Sequence, residues 1–162
     1  MNKGIAESFD YFVKTMKVIE KLDDGECAIE EGATEEEITE YEHKLGYTLP
    51  EDFKDWLRLT KGISASLGIT CINIFMPEKA EKHEDGFMAL FFGDDCGFRN
   101  YYINLETGHG YIYDDDYGTE EFDSFEDLID EIYSSDVEDR LDSDDYGDEW
   151  RSLYDEMFPE EK

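Results

Sequence analysis

LGYTLPEDFKDWLRLTKG, residues Leu45–Gly62, carries a helix with both of its ends marked. Pro50 suits the first helical position, because the N–H it lacks would have had no partner there. Glu51 and Asp52 follow in the first turn, where negative charge meets the positive end of the helix dipole. Phe53, Trp56, Leu57 and Thr60 recur at helical spacing, so one face is apolar, and Lys61-Gly62 closes the C-terminus.

Upstream, Thr34 and Glu37 form a T-x-x-E capping box that opens a second helix. Ile38, Tyr41 and Leu45 make its buried stripe, and Gly46 suits the left-handed position past its end. Before it, Phe9, Phe12, Val13, Met16 and Ile19 share the face of an amphipathic helix that the DDGE turn at Asp23–Glu26 ends.

Downstream of Gly62 the period shortens. GITCINIF (68–75), FMALFF (87–92, nearly all apolar and central), FRNYYINL (98–105) and GYIYD (110–114) read as strands. Short Gly-containing turns join them, which implies an antiparallel meander. DSFEDLIDEIY (123–133) is helical again, with Ser124 as cap and Phe125, Leu128, Ile129 and Ile132 inward. The acidic stretch SSDVEDRLDSDDYGDE separates it from a last helix, EWRSLYDEMF, where Trp150, Leu153, Tyr154 and Met157 share a face. The fold class is therefore α+β, an antiparallel meander packed against N-terminal and C-terminal helices. With no internal repeat and no Pro/Ser-rich linker, residues 1–162 read as one domain.

The chain has 162 residues, with 45 acids against 14 bases and a formal net charge of −31. High charge with few aromatics signals disorder, but 11 Tyr, 11 Phe and 2 Trp supply a core. Such a charge argues against nucleic acid, whose binding draws on Lys and Arg that displace counterions, and against anionic membranes. It favours encounter with a cationic partner. The N-terminal residues contain no apolar run long enough for a signal peptide or membrane span. Cys27, Cys71 and Cys96 are odd in number and match neither a disulfide framework nor a zinc spacing, so free thiols in a reducing cytoplasm are expected.

Little in the sequence points to catalysis. His43, His83 and His109 are far apart and fit no metal motif. A Cys96–His109 pair across adjacent hairpins is conceivable, but a turn residue and an inert thiol is the stronger reading. DSDDYG (142–147) imitates a calcium loop, yet Tyr146 and Leu153 stand where its fifth and twelfth ligands belong. Carboxylates are so abundant that no pair stands out as acid and base. No catalytic residue, cofactor site or metal site is assigned.

The segments IxxYEHKLGYTLPEDFKDWLRLTKG, FFGDDCG, INLETGHGYIY and FDSFEDLIDEIY, in that order, resemble the SUKH superfamily. This superfamily includes the fungal cell-wall-assembly regulator Smi/Knr and many bacterial immunity proteins. The resemblance covers about 34–133, leaving 134–162 as an acidic helical extension. Leu45, Gly46, Leu49, Pro50, Trp56 and Gly62 match the most recognisable positions and read as structural. Two features depart from the pattern: the residues after Gly62 lack the Gly- or Asn-rich loop of many members, and the extension passes the usual final helix. The resemblance implies a non-catalytic, cytoplasmic immunity protein that binds a toxin, often a nuclease, or else a regulatory interaction module with an endogenous partner.

Acidity is polarised: from Asp114 onward 22 acids face three bases. That third and the strand leading into it hold Tyr111, Tyr113, Tyr117, Tyr146, Trp150 and Tyr154, and rings among charges suit a protein interface. The candidate surface for a basic protein is therefore Asp94, Asp95, Asp114, Asp115, Asp116, Glu120 and Glu121 as carboxylates, with Tyr113 and Tyr117 as anchors.

Overall fold

The opening stretch folds as expected, with its ends shifted. In the computed structural model, which describes residues 1–22, 25–67, 70–114 and 116–159, α3 spans Glu51–Leu59, and Pro50 caps it from one position earlier than the sequence suggests. Thr60 ends the helix: its hydroxyl donates to the carbonyl of Glu30 and accepts from the N–H of Gly62. Gly62 is therefore not a helix-terminating glycine. A Cβ there would stand 2.6 Å from the carbonyl oxygen of Ile74, so the residue lets two chain segments approach closely. Gly62→Ala should destabilise the fold by about 1–3 kcal/mol, because the obstacle is backbone and cannot rotate away. A urea titration checks this, and an unchanged midpoint would refute it.

The other helices follow from local signals. α1 (Lys3–Lys21) starts at Asn2, whose side chain accepts from the N–H groups of Gly4 and Ile5. α2 (Glu35–Leu45) has both halves of the Thr34/Glu37 capping box, and Gly46 takes the left-handed conformation at φ 77°. α4 (Phe125–Glu131) starts at Ser124, which accepts from the N–H of Asp127. The DDGE turn expected at Asp23–Glu26 lies partly outside the described residues; its last residue, Glu26, begins β1.

Among the described residues eight strands form one antiparallel sheet. They are β1 (Glu26–Ile29), β2 (Ile63–Leu67), β3 (Thr70–Ile74), β4 (Glu81–Lys82), β5 (Met88–Asp94), β6 (Arg99–Asn104), β7 (Gly110–Asp114) and β8 (Gly118–Phe122). The order β1-β2-β3-β5-β6-β7-β8 is a meander with β5 at its centre, and β4 lies off the path, paired with β5. A bulge between Phe91 and Gly93 shifts the register of β5 against β6. Leu90 and Phe92 alternate onto the face toward the helices, where Phe92 meets Phe53 and Phe125, while Phe91 on the other face meets Phe75 and Tyr102 in a second aromatic group.

Trp56 is the hub of the main core, with ring centroids 5.7 Å from Phe9, 5.6 Å from Phe12 and 6.0 Å from Phe125. The second group surrounds His83, which stacks on Phe87 and meets Tyr102 and Tyr113 edge-on. None of the described helices is long and apolar enough to cross a membrane.

The stretch after Tyr133 departs from expectation. α4 runs on through a π-helical segment (Ile132–Glu138) into α5 (Asp139–Ser143), so much of the supposed separator is helix. Val137 and Leu141 are buried there because they continue the apolar stripe of α4. α6 (Gly147–Met157) packs against α1 and buries Trp150.

Candidate protein-binding surface

Two turns emerge at one end of the sheet. The first, between β5 and β6, begins at Asp94; the second, between β7 and β8, follows Asp114. Arg99 pairs in register with Asp114, and Asp94 with Asn100, so the turns sit on neighbouring strand pairs. Each presents one large apolar side chain to solvent: Phe98 is 72% exposed and Tyr117 91%.

Both turns are held by carboxylates that accept from backbone N–H groups ahead of them. Asp94 accepts from Cys96 at 3.0 Å, and Asp114 accepts from Asp116 at 2.8 Å and Tyr117 at 3.3 Å. Such local bonds favour the turn over continued strand.

Beneath the first turn lies a buried charged network. Asp95, its side chain fully enclosed, accepts from the N–H groups of Phe98 (2.9 Å) and Arg99 (2.7 Å) and pairs with Arg140 of α5. Asp136, placed by the π segment, accepts from the Tyr101 hydroxyl and lies 3.2 Å from Nε of Arg99 and 3.7 Å from Arg140. Burial pushes the Asp95 carboxyl upward, but the Arg99 N–H, the Arg140 guanidinium and the Phe98 N–H outweigh it and hold it below the usual range. For Asp136 burial wins, and its carboxyl sits above the usual range despite Tyr101 and both arginines. Asp95 is thus removed from the candidate surface, because its oxygens are spent inside the protein.

The remaining candidates divide. Asp94, Asp114, Asp116 and Tyr117 come together at the sheet end. Glu120 is exposed further along β8. Glu121 accepts from the Tyr111 hydroxyl and lies 3.2 Å from Nδ1 of His109, and these partners hold its carboxyl below the usual range. Tyr113 is half-buried in the aromatic group around His83. Asp115 lies outside the described residues. Of the late-chain rings, Tyr111 and Trp150 are buried and serve packing. Asp142, in the stretch that imitates a calcium loop, is taken by Trp150 Nε1 and by both Nε and Nη2 of Arg151.

Phe98 corrects the sequence reading: at the head of FRNYYINL it reads as the first residue of a strand, yet β6 begins at Arg99 and Phe98 belongs to the turn, for which the Cys96-Gly97 pair is the local signal. Leu49 and Trp56 are buried, Leu45 packs on the core, and Gly46 and Pro50 sit at helix ends, all structural positions.

The cysteines correct the expectation of free thiols. Cys71 and Cys96 form a disulfide, their Cα atoms 5.8 Å apart, because the pairing of Asn73 with Asp94 brings β3 against the turn. The bond also fastens Cys96, which adopts a left-handed φ of 71°. It leaves no thiol for a Cys96–His109 pair. Replacing both cysteines by serine should cost about 3 kcal/mol, the stabilisation expected from closing a loop of 25 residues. Denaturant unfolding of the oxidised protein beside the variant measures it, and a difference under about 1 kcal/mol would contradict it. Cys27 is free; burial and the neighbouring Glu20 push its thiol up to about 12, so it is a poor nucleophile.

The arrangement offers two apolar anchors among carboxylates on a braced, cross-linked base. A family model described as SMI1 / KNR4 family (SUKH-1) matches residues 32–131, from just before α2 to the end of α4. No curated protein matches the chain at a significant level.

Proposed function

We propose, because this chain belongs to the SMI1 / KNR4 family (SUKH-1), that it is a non-catalytic immunity protein that covers a basic surface on a toxin domain. The observation that carries this reading is the sheet end where Phe98 and Tyr117 stand exposed between Asp94, Asp114 and Asp116. Aromatic anchors rimmed by charge are where binding energy concentrates in protein interfaces. A nuclease suits such a surface, because the cations that hold its phosphates would pair with carboxylates instead.

Two physical properties favour fast, tight capture. The braced turns lose little freedom on binding, which lowers the cost of association. The net charge steers a cationic partner, an effect that fades over roughly 8 Å at physiological ionic strength.

The test is to find whether a neighbouring gene encodes a toxin domain and to co-express the protein with it. Rescue of growth is expected, and the Phe98→Ala/Tyr117→Ala double variant should bind at least about 30-fold more weakly with stability changed by no more than about 0.5 kcal/mol. Full rescue and unchanged affinity in the double variant would remove this surface from the mechanism. Failure of the wild type to rescue would favour a regulatory module with an endogenous partner. We place the protein in the cytoplasm on the ground of this role. The Cys71–Cys96 bond weighs against that placement, since disulfides persist in oxidising compartments, and alkylation trapping in cell extracts decides it.

A further inference from the structure

β8 ends the sheet. Its inner side pairs with β7 from Gly118 to Phe122, and among the described residues no strand pairs its outer side. Four of its five residues are exposed. An open edge offers unpaired backbone N–H and C=O groups and is a template for another strand. Proteins blunt such edges with charge, and here both charged residues of the strand, Glu120 and Glu121, are acids. A second copy of this chain would set glutamates against glutamates, which disfavours self-pairing.

A groove runs beside this edge, between β8 and α4. Glu121, Asp123, Asp127, Asp130 and Glu131 line it together with Phe122 and Ser134, and no Lys or Arg is among its walls. Ser8 donates to Asp130 and Ser135 to Glu131, hydroxyls that satisfy an oxygen without neutralising it. Nearby Glu126 is held above the usual carboxylate range by burial and by Asp130, Asp127 and Asp52, the mark of crowded negative charge.

We propose that β8 receives an extended cationic segment of a partner protein as an added strand, whose alternate Lys or Arg side chains enter the acidic groove. The inference rests on the binding reading above for the sign of the partner's charge, and adds how the partner's chain is held. Side chains on one face of a strand recur about every 6.6–6.8 Å, so an alternating sequence sets a cation over the groove at every second residue. Backbone hydrogen bonds to the edge supply affinity and the groove supplies selectivity, the division of labour in strand addition.

The test uses the full chain, labelled with ¹⁵N, and an acetylated octapeptide alternating Lys and Val. Two isomers carry the same charge, one N-methylated on every Val and one on every Lys, so that each blocks one edge of the peptide. The parent should bind, shift the amides of Thr119–Phe122 and slow their hydrogen exchange, and one isomer should lose at least tenfold in affinity while the other keeps it. Equal binding by parent and both isomers would reduce the contact to charge and overturn the proposal. So would shifts that avoid β8, or no binding at all. These outcomes leave the co-expression result untouched, and a failed rescue leaves the peptide result standing, so the two readings fail separately.

Discussion

Replacing Asp95 with alanine should cost about 3 kcal/mol of folding stability, the low end of the penalty for breaking a buried ion pair, because Asp136, 3.7 Å from Arg140, keeps part of the guanidinium's compensation. Arg140 loses the carboxylate it pairs with, and the N–H groups of Phe98 and Arg99 lose their acceptor. The Coulomb attraction is not the main term. The cost comes from the guanidinium and two amides left in a place that water reaches poorly. Glu120→Ala, at an exposed position, should stay within about 0.5 kcal/mol, so comparison of the two by urea unfolding separates a bracing carboxylate from a surface one.

The pH dependence has a definite sign. Asp95 is held below its ordinary value of 3.8 in the fold, so on acidification the unfolded chain takes up this proton first. Its contribution is complete above about pH 4 and is lost as pH falls through the folded value. The gap between wild type and Asp95→Ala should therefore narrow below about pH 4. A gap that persisted unchanged into stronger acid would mean that the Asp95 charge does not brace the turn.

Trp56→Ala should be comparably severe, at about 3–5 kcal/mol. The side chain is fully buried against Phe9, Phe12 and Phe125, which come from two other helices, and those rings cannot collapse into the space of an indole. Total stabilities are typically about 5–15 kcal/mol, so the variant would stand near the edge of folding. Trp56→Phe is the informative companion. The indole N–H has no hydrogen-bond partner among the described residues, so phenylalanine removes an unsatisfied donor while leaving a smaller void. Its cost should be about 1–2 kcal/mol. Equal losses for Phe and Ala, read from denaturant midpoints, would show that the indole itself is required.

Helices were the most legible part of the fold. Thr34 and Glu37, Ser124, and the i, i+3, i+4 stripe of Phe53, Trp56 and Leu57 act over one or two turns of chain, so neighbours in sequence carry the whole signal. Strands divided by burial. FMALFF, central and buried on both sides, was plain, whereas GTEEF of β8 and ECAI of β1 lack apolar alternation because they are sheet edges. ISASL of β2 was hidden by small side chains on its outer face. The π segment is not legible in the sequence, because the change from α4 to a wider turn has no residue signature here.

By itself the sequence determined an α+β chain with capped helices, a central meander and a strongly anionic exterior, since each of these follows from composition or from contacts a few residues apart. Only the tertiary structure decided which carboxylates face outward. Asp94 and Asp95 are neighbours with the same chemistry, yet one lies at the turn and the other is enclosed by Arg140, 45 residues away. The union of Cys71 with Cys96 and the placement of Phe98 and Tyr117 at the same end of the sheet depend in the same way on strand register. The physical reason is common to all three: pairing between distant segments sets which side chains lose water, and no local pattern encodes it.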